Sequence, residues 1–108
     1  MNDITKILFE SLDKRIMNLS PAVKKEYKKM YVAYKLDTKF VDIVFQKQRL
    51  RISVNMKFPD IIDPNDICRD ITGIGRWGNG DVELFMEDKD QLDQIMEIVK
   101  QSFDAQGE

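Results

Sequence analysis

Hydrophobic residues recur every three or four positions at both ends of the chain and every second position in the middle. The spacing predicts an amphipathic helix over residues 3 to 18, whose apolar stripe consists of Ile4, Ile7, Leu8, Leu12 and Ile16. A short second helix is predicted from an N-cap at Ser20 to about Lys29, because Pro21 suits a first helical turn. A closing helix follows the capping-box pair Asp88 and Gln91, and its stripe consists of Leu92, Ile95, Met96, Val99 and Phe103.

Three alternating segments, MYVAYKL, KFVDIVF and RLRISVNM, are rich in β-branched and aromatic residues and predict three strands. We take Asp37-Thr38 and Lys47-Gln48 as the connecting turns of an antiparallel meander. The opposed pairs are then Tyr34 with Val41, Val32 with Ile43, Phe45 with Leu50, Ile43 with Ile52 and Val41 with Val54. This register aligns one apolar face across all three strands, and a slip of one residue would scatter it.

The remaining segments predict a connection and a hairpin. FPDIIDPNDICRD is irregular and is interpreted as a connection across the sheet. Asn79-Gly80 predicts a turn between a strand in GIGRW and a strand over residues 81 to 86, so that Arg76 faces Glu83. The expected fold is α+β, with two N-terminal helices, an antiparallel sheet of about four to five strands and a C-terminal helix on one sheet face. One domain over residues 1–108 is expected.

Composition narrows the chemistry more than it narrows the fold. The 108 residues hold 17 Lys and Arg against 19 Asp and Glu, a net charge of -2, so any basic function must be local. The chain has no histidine, which excludes His-based triads, His metal ligands and imidazole acid–base steps. The lone Cys68 suits a reducing cytoplasm, and MNDITKILFESL is neither a signal peptide nor a membrane span. We expect a cytoplasmic non-enzyme without metal, cofactor or membrane partner.

The segment GIGRWGNGD contains Gly73, Gly75 and Gly78 at the G-x-G-x-x-G spacing of a dinucleotide-binding fingerprint. That fingerprint requires a strand before it and a helix opening inside it. Here a hairpin follows and no helix is predicted before about Lys89. We therefore assign the glycines to structure: Gly80 supplies a positive φ, and Gly73 and Gly75 permit a bulge or a close approach in a strand.

A polar row follows the third predicted strand, where Arg49, Arg51, Ser53 and Asn55 alternate onto one face. The register brings Asp42 and Phe40 beside this row, and it brings Tyr31 and Lys35 from the first strand. Cations and aromatic rings on one sheet face can bind phosphate or single-stranded nucleic acid by charge and stacking. The alternative is an ordinary solvated face with cross-strand pairs, such as Arg51 with Asp42 on a diagonal.

The connecting segment carries four aspartates, Asp60, Asp63, Asp66 and Asp70. A calcium loop of the EF-hand type needs a central glycine and a terminal glutamate, and DPNDICRD has neither. We interpret these aspartates as turn formers and caps, with Arg69 and Asp70 as a local ion pair. Cys68, without a histidine partner, is interpreted as a small buried hydrophobic residue.

The runs YVAYKLDTKFVDIVFQKQRLRISVNM and IDPNDICRDITGIGRWGNGDVEL resemble a bacterial family of domains of unknown function called "predicted transport protein". The resemblance covers nearly the whole chain. It implies a domain that often lies at the C-terminus of nuclease-like or restriction-like proteins, with a fold similar to small α+β proteins of the iron-chaperone and double-wing kind. The matching positions are Lys35, Phe40, Arg49, Arg51, Asn55, Met56, Cys68, Arg69, Asp70, Gly73, Gly75, Arg76, Trp77, Gly78, Asn79, Gly80, Asp81 and Glu83.

Three functions follow as hypotheses. The first is a non-catalytic module that binds nucleic acid, a nuclease-like protein or another anionic partner; its candidate binding residues are Lys35, Arg49, Arg51, Asn55, Arg69, Arg76 and Trp77. The second is a protein-interaction or oligomerisation domain that uses Tyr31, Phe40 and Val44 with a sheet edge, and it leaves the oligomeric state open. The third is a small-molecule pocket or an enzyme that uses the carboxylates from Asp60 to Asp70.

Overall fold

The structure is a computed structural model that describes residues 3–74 and 80–106. Its helices are α1 (Asp3–Met17) and α2 (Leu92–Gln106). Its strands are β1 (Lys24–Tyr27), β2 (Val32–Lys35), β3 (Lys39–Phe45), β4 (Leu50–Val54), β5 (Arg69–Asp70) and β6 (Val82–Met86). Short 3-10 helices lie at Phe58–Asp60 and Lys89–Gln91.

The strands of the described chain form one sheet in the order β1-β2-β3-β4-β6-β5, and every pair is antiparallel. The register predicted for the meander is confirmed at all the opposed pairs, which are Tyr34 with Val41, Val32 with Ile43, Phe45 with Leu50, Ile43 with Ile52 and Val41 with Val54. Strand β6 adds Leu84 opposite Ile52 on the same apolar face. Alternation therefore carried enough information to set the centre of the sheet.

Both helices pack on the apolar face of this sheet, where they contact β4 and each other. The Phe9 ring of α1 meets the Phe45 ring of β3 edge-on, with centroids 4.9 Å apart. The Tyr34 hydroxyl donates a 2.7 Å hydrogen bond to Asp13 of α1, and Lys25 of β1 lies 3.0 Å from the same carboxylate. This partly buried polar contact ties α1 to β1 and β2. Burial together with Asp13 raises the pKa of the Tyr34 phenol.

The predicted second helix is wrong, because residues 24–27 form strand β1. Ser20 does cap, but it caps only a turn: its Oγ accepts from the Ala22 N–H at 3.1 Å, and the chain then becomes extended. A Lys28–Tyr31 hydrogen bond of 2.8 Å closes a hairpin with β2. Pairing with β2 outweighs the local preference for a helix, because without β1 the backbone groups along the outer side of β2 would lack hydrogen-bond partners.

The strand count is also wrong, since the described residues form six strands and not four to five. Among the described residues, β6 pairs with β4 on one side and on the other with β5, which is only two residues long. Asp70 ends that pairing because its carboxylate accepts from both the N–H and the hydroxyl of Thr72, which turns the chain. Gly73 and Ile74 lie in this turn, whereas the rest of the predicted strand, residues 75–79, falls outside the described residues.

The first and the last predicted helices are confirmed in position, but their buried residues differ from the predicted stripes. On α1 the buried residues are Thr5, Leu8, Phe9, Leu12 and Ile16, whereas Ile4 and Ile7 are exposed. The capping box of Asp88 and Gln91 is present and precedes α2. The buried stripe of α2 consists of Ile95, Met96, Ile98, Val99 and Ser102.

Gly80 is the glycine on which the sheet depends. Its φ is +117°, and an added Cβ would lie 2.3 Å from the Val54 carbonyl oxygen of β4. Gly73 also has a positive φ, +80°, yet no heavy atom of the described residues lies within 4 Å of its added Cβ. The expected positive φ at Gly80 is thus confirmed, whereas the close approach expected at Gly73 occurs at Gly80 instead.

We predict that Gly80→Ala lowers the free energy of unfolding by about 3 kcal/mol or more, because strain and a backbone clash add together. Gly73→Ala is the matched control and is expected to cost about 1 to 2 kcal/mol, from φ alone. Urea unfolding followed by circular dichroism measures both. Equal losses for the two variants would show that the contact with Val54 is unimportant.

Candidate binding surface on the open face of the sheet

The sheet face opposite the helices carries a row of side chains that crosses all strands of the described chain. Its members, in spatial order, are Glu26, Ala33, Asp42, Ser53, Glu83 and Arg69, each directly opposite the next. We call the sheet face that carries this row the open face. The other charged side chains described below lie on the open face beside the row.

A β-bulge between β2 and β3 decides which side chains reach the open face. Tyr34 lies opposite Val41 while Lys35 lies opposite Lys39, so Phe40 is an extra residue in β3. The Phe40 ring is fully buried and meets the Phe103 ring of α2 edge-on at 5.4 Å. Phe40 is therefore in the core, and the prediction that it lies among the polar row is wrong.

The same bulge turns Lys39 onto the open face, where its Nζ lies 3.5 Å from Asp42 Oδ2 and 4.7 Å from the centre of the Tyr31 ring. Sequence reasoning missed Lys39 because strict alternation places it on the opposite face from Asp42. A signal was present in KFVDIVF, where adjacent apolar residues Phe40 and Val41 break the alternation. Such a break is typical of a bulge.

Asn55, one of the candidate binding residues, holds this bulge in place. Its Nδ2 donates to the Lys39 carbonyl at 2.7 Å, and its backbone N–H donates to the Phe40 carbonyl at 3.0 Å. Ser102 of α2, fully buried, places its hydroxyl 2.9 Å from the Phe40 carbonyl and 3.1 Å from that of Asn55. Asn55 therefore lies at the edge of the open face, and its side-chain amide holds the backbone of Lys39 in position.

Asp42 lies at the centre of the row and is only 1% exposed. Neither of its carboxylate oxygens accepts a hydrogen bond. Burial raises the pKa of this carboxyl to about 6, against the opposing pull of the Lys39 and Arg51 charges. The sequence identified Asp42 as part of the face but did not indicate that it is buried, because burial depends on the neighbouring strands.

Glu83 is shared between two arginines of the candidate set. Its carboxylate lies 3.5 Å from Arg69 Nη1 and 3.9 Å from Arg51 Nε. The ion pair expected between Arg69 and Asp70 is replaced by this contact, because the register sets Arg69 directly opposite Glu83. The predicted Arg76–Glu83 pair lies outside the described residues, as does Trp77.

The remaining candidate cations are also on the open face. The Arg49 guanidinium stacks 3.8 Å from the centre of the Phe85 ring, and its Nε donates to Gln46 at 2.7 Å. Lys35 Nζ lies 3.1 Å from Glu26, a carboxylate that Lys28 also approaches to 3.8 Å. Of the described candidates, Lys35 and Arg69 mark the two sides of the surface.

Charges on the open face are unbalanced. Among the described residues, the cations with a measured contact there are Lys28, Lys35, Lys39, Arg49, Arg51 and Arg69. Their carboxylate partners are Glu26, Asp42 and Glu83. These contacts involve six cations and three carboxylates, on a chain whose net charge is -2, and Glu87 is a further carboxylate beside Arg49. The rest of the chain carries the compensating negative charge.

Two of the four aspartates of the connecting segment, Asp63 and Asp70, act as turn formers, as predicted. Asp63 accepts from the N–H groups of Ile67 and Cys68 at 3.0 and 2.8 Å, and Asp70 accepts from Thr72. Cys68 is half-buried, and burial beside Asp63 raises the pKa of its thiol. Within residues 3–74 and 80–106, no group of three or more His, Cys, Asp or Glu side chains is arranged to hold a metal ion. No helix in those ranges is long and apolar enough to cross a membrane.

The fold and its surface define a small α+β domain in which two helices cover one side of a six-stranded antiparallel sheet and a positive charge surplus lies on the other, within the described chain. The model of the family described as a domain of unknown function (DUF5655) matches residues 4–106, and the chain belongs to this family. The resemblance to a bacterial domain of unknown function is thereby confirmed.

A relative in Haemophilus influenzae, named "Uncharacterized protein", is 33% identical over 100 residues, which cover 93% of this chain and 33% of that protein. The chain therefore spans about a third of the length of the curated relative it matches. No solved structure matches the chain.

The burial of Asp42 predicts a specific pH dependence. The carboxyl binds its proton more tightly in the folded chain, with a pKa of about 6, than in the unfolded chain, where the value is 3.8. The free energy of unfolding should therefore fall by about 3 kcal/mol as the pH rises through this window, and the loss is complete above it. Asp42→Asn removes the charge at nearly constant shape, so it should lack this loss.

Urea unfolding at about pH 4 and about pH 7.5 tests this prediction, because the difference between Asp42→Asn and the parent chain removes titrations common to both. The variant should gain stability relative to the parent at the higher pH. A pH-independent difference between the two would contradict a buried titrating carboxyl. Asp104→Asn, on an exposed position of α2, is the control and should show no pH-dependent gain.

Proposed function

We propose that this domain is a non-catalytic binding module that recognises an anionic partner, and specifically single-stranded nucleic acid, through the open face. The observation that supports this most directly is the surplus of cations over carboxylates on a helix-free sheet face. Phosphate groups bind to such a surface chiefly by charge, with release of counterions. A flat sheet also lets splayed bases approach side chains from several strands at once.

Two features of the surface suit single strands. Arg49 lies over the Phe85 ring at 3.8 Å and its Nε donates to Gln46, so its guanidinium is oriented before any ligand arrives. Stacking planes of this kind hold bases with little sequence preference. Lys35 and Arg69 belong to strands separated by four steps of the sheet, roughly 19 Å, so their contacts would fall on different nucleotides.

The carboxylates on the open face would compete with a bound phosphate group for the same cations. Glu83 and Glu26 each hold two cations, so a phosphate group competes with an existing partner and does not meet a bare charge. Arg69, whose side chain is 64% exposed, exchanges partners more readily than Arg51 at 21%. The proposal therefore expects modest affinity with a strong dependence on salt.

The proposed setting is a larger cytoplasmic protein. The family resemblance implies a neighbouring nuclease-like or restriction-like domain, and we propose that this module delivers such a domain to its substrate. The matched Haemophilus relative is about three times as long as the aligned region, which leaves room for such a neighbour.

Titration of a labelled single-stranded oligonucleotide at several salt concentrations tests this function. The double variant Lys35→Ala, Arg69→Ala removes two contacts, so the slope of log affinity against log salt should become shallower by about 1.4. Both side chains are partly or largely exposed, which protects the fold. Fluorescence anisotropy measures the affinity.

The matched control removes the same charge from the exposed residues Lys6 and Lys14 of α1. Lys6→Ala, Lys14→Ala should leave the slope close to that of the parent chain, since long-range effects are screened at physiological salt. If both double variants weaken binding equally, the attraction is not specific to the open face. Absence of binding by the parent chain at low salt would refute the proposed function.

A further inference from the structure

Strand β1 is an outer strand with a regular row of outward backbone groups. The Lys28 N–H donates to the Tyr31 carbonyl at 2.8 Å, which sets the alternation of the antiparallel hairpin. The backbone groups of Glu26 consequently point towards Ala33 of β2, and those of Lys25 and Tyr27 point away from the sheet. Within the described chain these outward groups make no backbone hydrogen bond.

The side chains around this edge are basic, with one apolar site. Four lysines, Lys24, Lys25, Lys28 and Lys29, accompany a single acid, Glu26, over residues 24–29. The largest exposed apolar side chains nearby are Tyr27 and Met30, at 70% and 53%. Together with Tyr31, Val32, Val44 and Phe45, they line a shallow cavity of about 320 Å³ at the hairpin end.

We propose that the outer edge of β1 binds an extended acidic segment of a partner protein, which adds a strand to the sheet. The outward N–H and C=O groups of Lys25 and Tyr27 supply the ladder. Acidic side chains of the segment meet the lysines, and an apolar side chain packs on the exposed side chains of Tyr27 and Met30. The ladder runs along the outer edge of β1, whereas the open face covers one side of the sheet. Lys28 borders both surfaces, but the inference does not depend on the proposed function.

Charge complementarity selects this occupant over the alternatives. A second copy pairing through β1 would bring two lysine-rich strands together, and lysines on an edge strand are a common protection against such self-pairing. A nucleic acid can neutralise lysines, but it has no alternating amide groups to complete a strand ladder. An acidic peptide strand satisfies both the charges and the backbone.

The test uses a short capped peptide in which glutamate alternates with valine, together with the parent chain. Binding should protect the amide hydrogens of Lys25 and Tyr27 from exchange and shift their resonances in amide correlation spectra. A peptide with the same sequence but N-methylated on alternate residues cannot complete the ladder, and its affinity should be lower by about tenfold or more. A peptide with lysine in place of glutamate should not bind.

Variants at Tyr27 separate the ring from the backbone. Tyr27→Ala removes the ring and keeps the outward N–H, whereas Tyr27→Pro also removes that N–H and leaves the hydrogen bonds to β2 intact. Proline should weaken binding further than alanine does. The N-methylated peptide on the parent chain answers the same question if the proline variant does not fold.

Each outcome bears on the inference. Preferential binding of the unmethylated acidic peptide, with protection confined to β1, supports it. Equal affinity for the methylated peptide, binding of the lysine peptide, protection elsewhere on the sheet, or no binding of the acidic peptide overturns it. Concentration-dependent sedimentation that Tyr27→Pro abolishes would assign the edge to a second copy instead. Loss of oligonucleotide binding in Lys35→Ala, Arg69→Ala with peptide binding retained would keep the two surfaces distinct.

Discussion

The extra residue at Phe40 determines what each face of the sheet contains. Because β3 has one residue more than β2 at this point, Phe40 enters the core against Phe103, and Lys39 turns to the open face beside Asp42. At the bulge, the Lys39 carbonyl accepts a hydrogen bond from the side chain of Asn55, which follows β4, and the Phe40 carbonyl accepts one from Ser102 of α2. The core packing of α2 and the charge of the open face therefore depend on the same local hydrogen bonds.

The same packing of the sheet buries Asp42, which is energetically unfavourable. A carboxylate between small neighbours, Ala33 and Ser53, loses its water without gaining a hydrogen bond, and only Lys39 and Arg51 offset the loss. Glu83, on the same row and also buried, has Arg69 and Arg51 at 3.5 and 3.9 Å. The centre of the open face is thus a carboxylate without a hydrogen bond, and the positive surplus comes from cations that share their carboxylates.

Predictions that depend on residues near in sequence were correct more often than those that depend on contacts between distant residues. The meander register was predictable because three alternating segments admit one alignment, and the capping box was predictable because Asp88 and Gln91 act on their own backbone. The conformation of residues 24–27 was not predictable, since KKEY becomes a strand through its hydrogen bonds to β2. Lys35, Arg49 and Arg51 were placed on one face correctly, whereas Arg69 was predicted in a connection and lies in β5. The pairing of these cations with Glu26, Glu83 and Gln46 required the register of every strand.

By itself, the sequence determined the helical ends, the β-rich middle, the apolar face of the meander and the absence of histidine chemistry, because periodicity and composition act locally along the chain. Only the tertiary structure decided that a lysine-rich segment is an edge strand, that Arg69 meets Glu83 and that Asp42 is buried. These outcomes depend on which strand lies beside which, and therefore on backbone hydrogen bonds and desolvation between residues far apart in sequence.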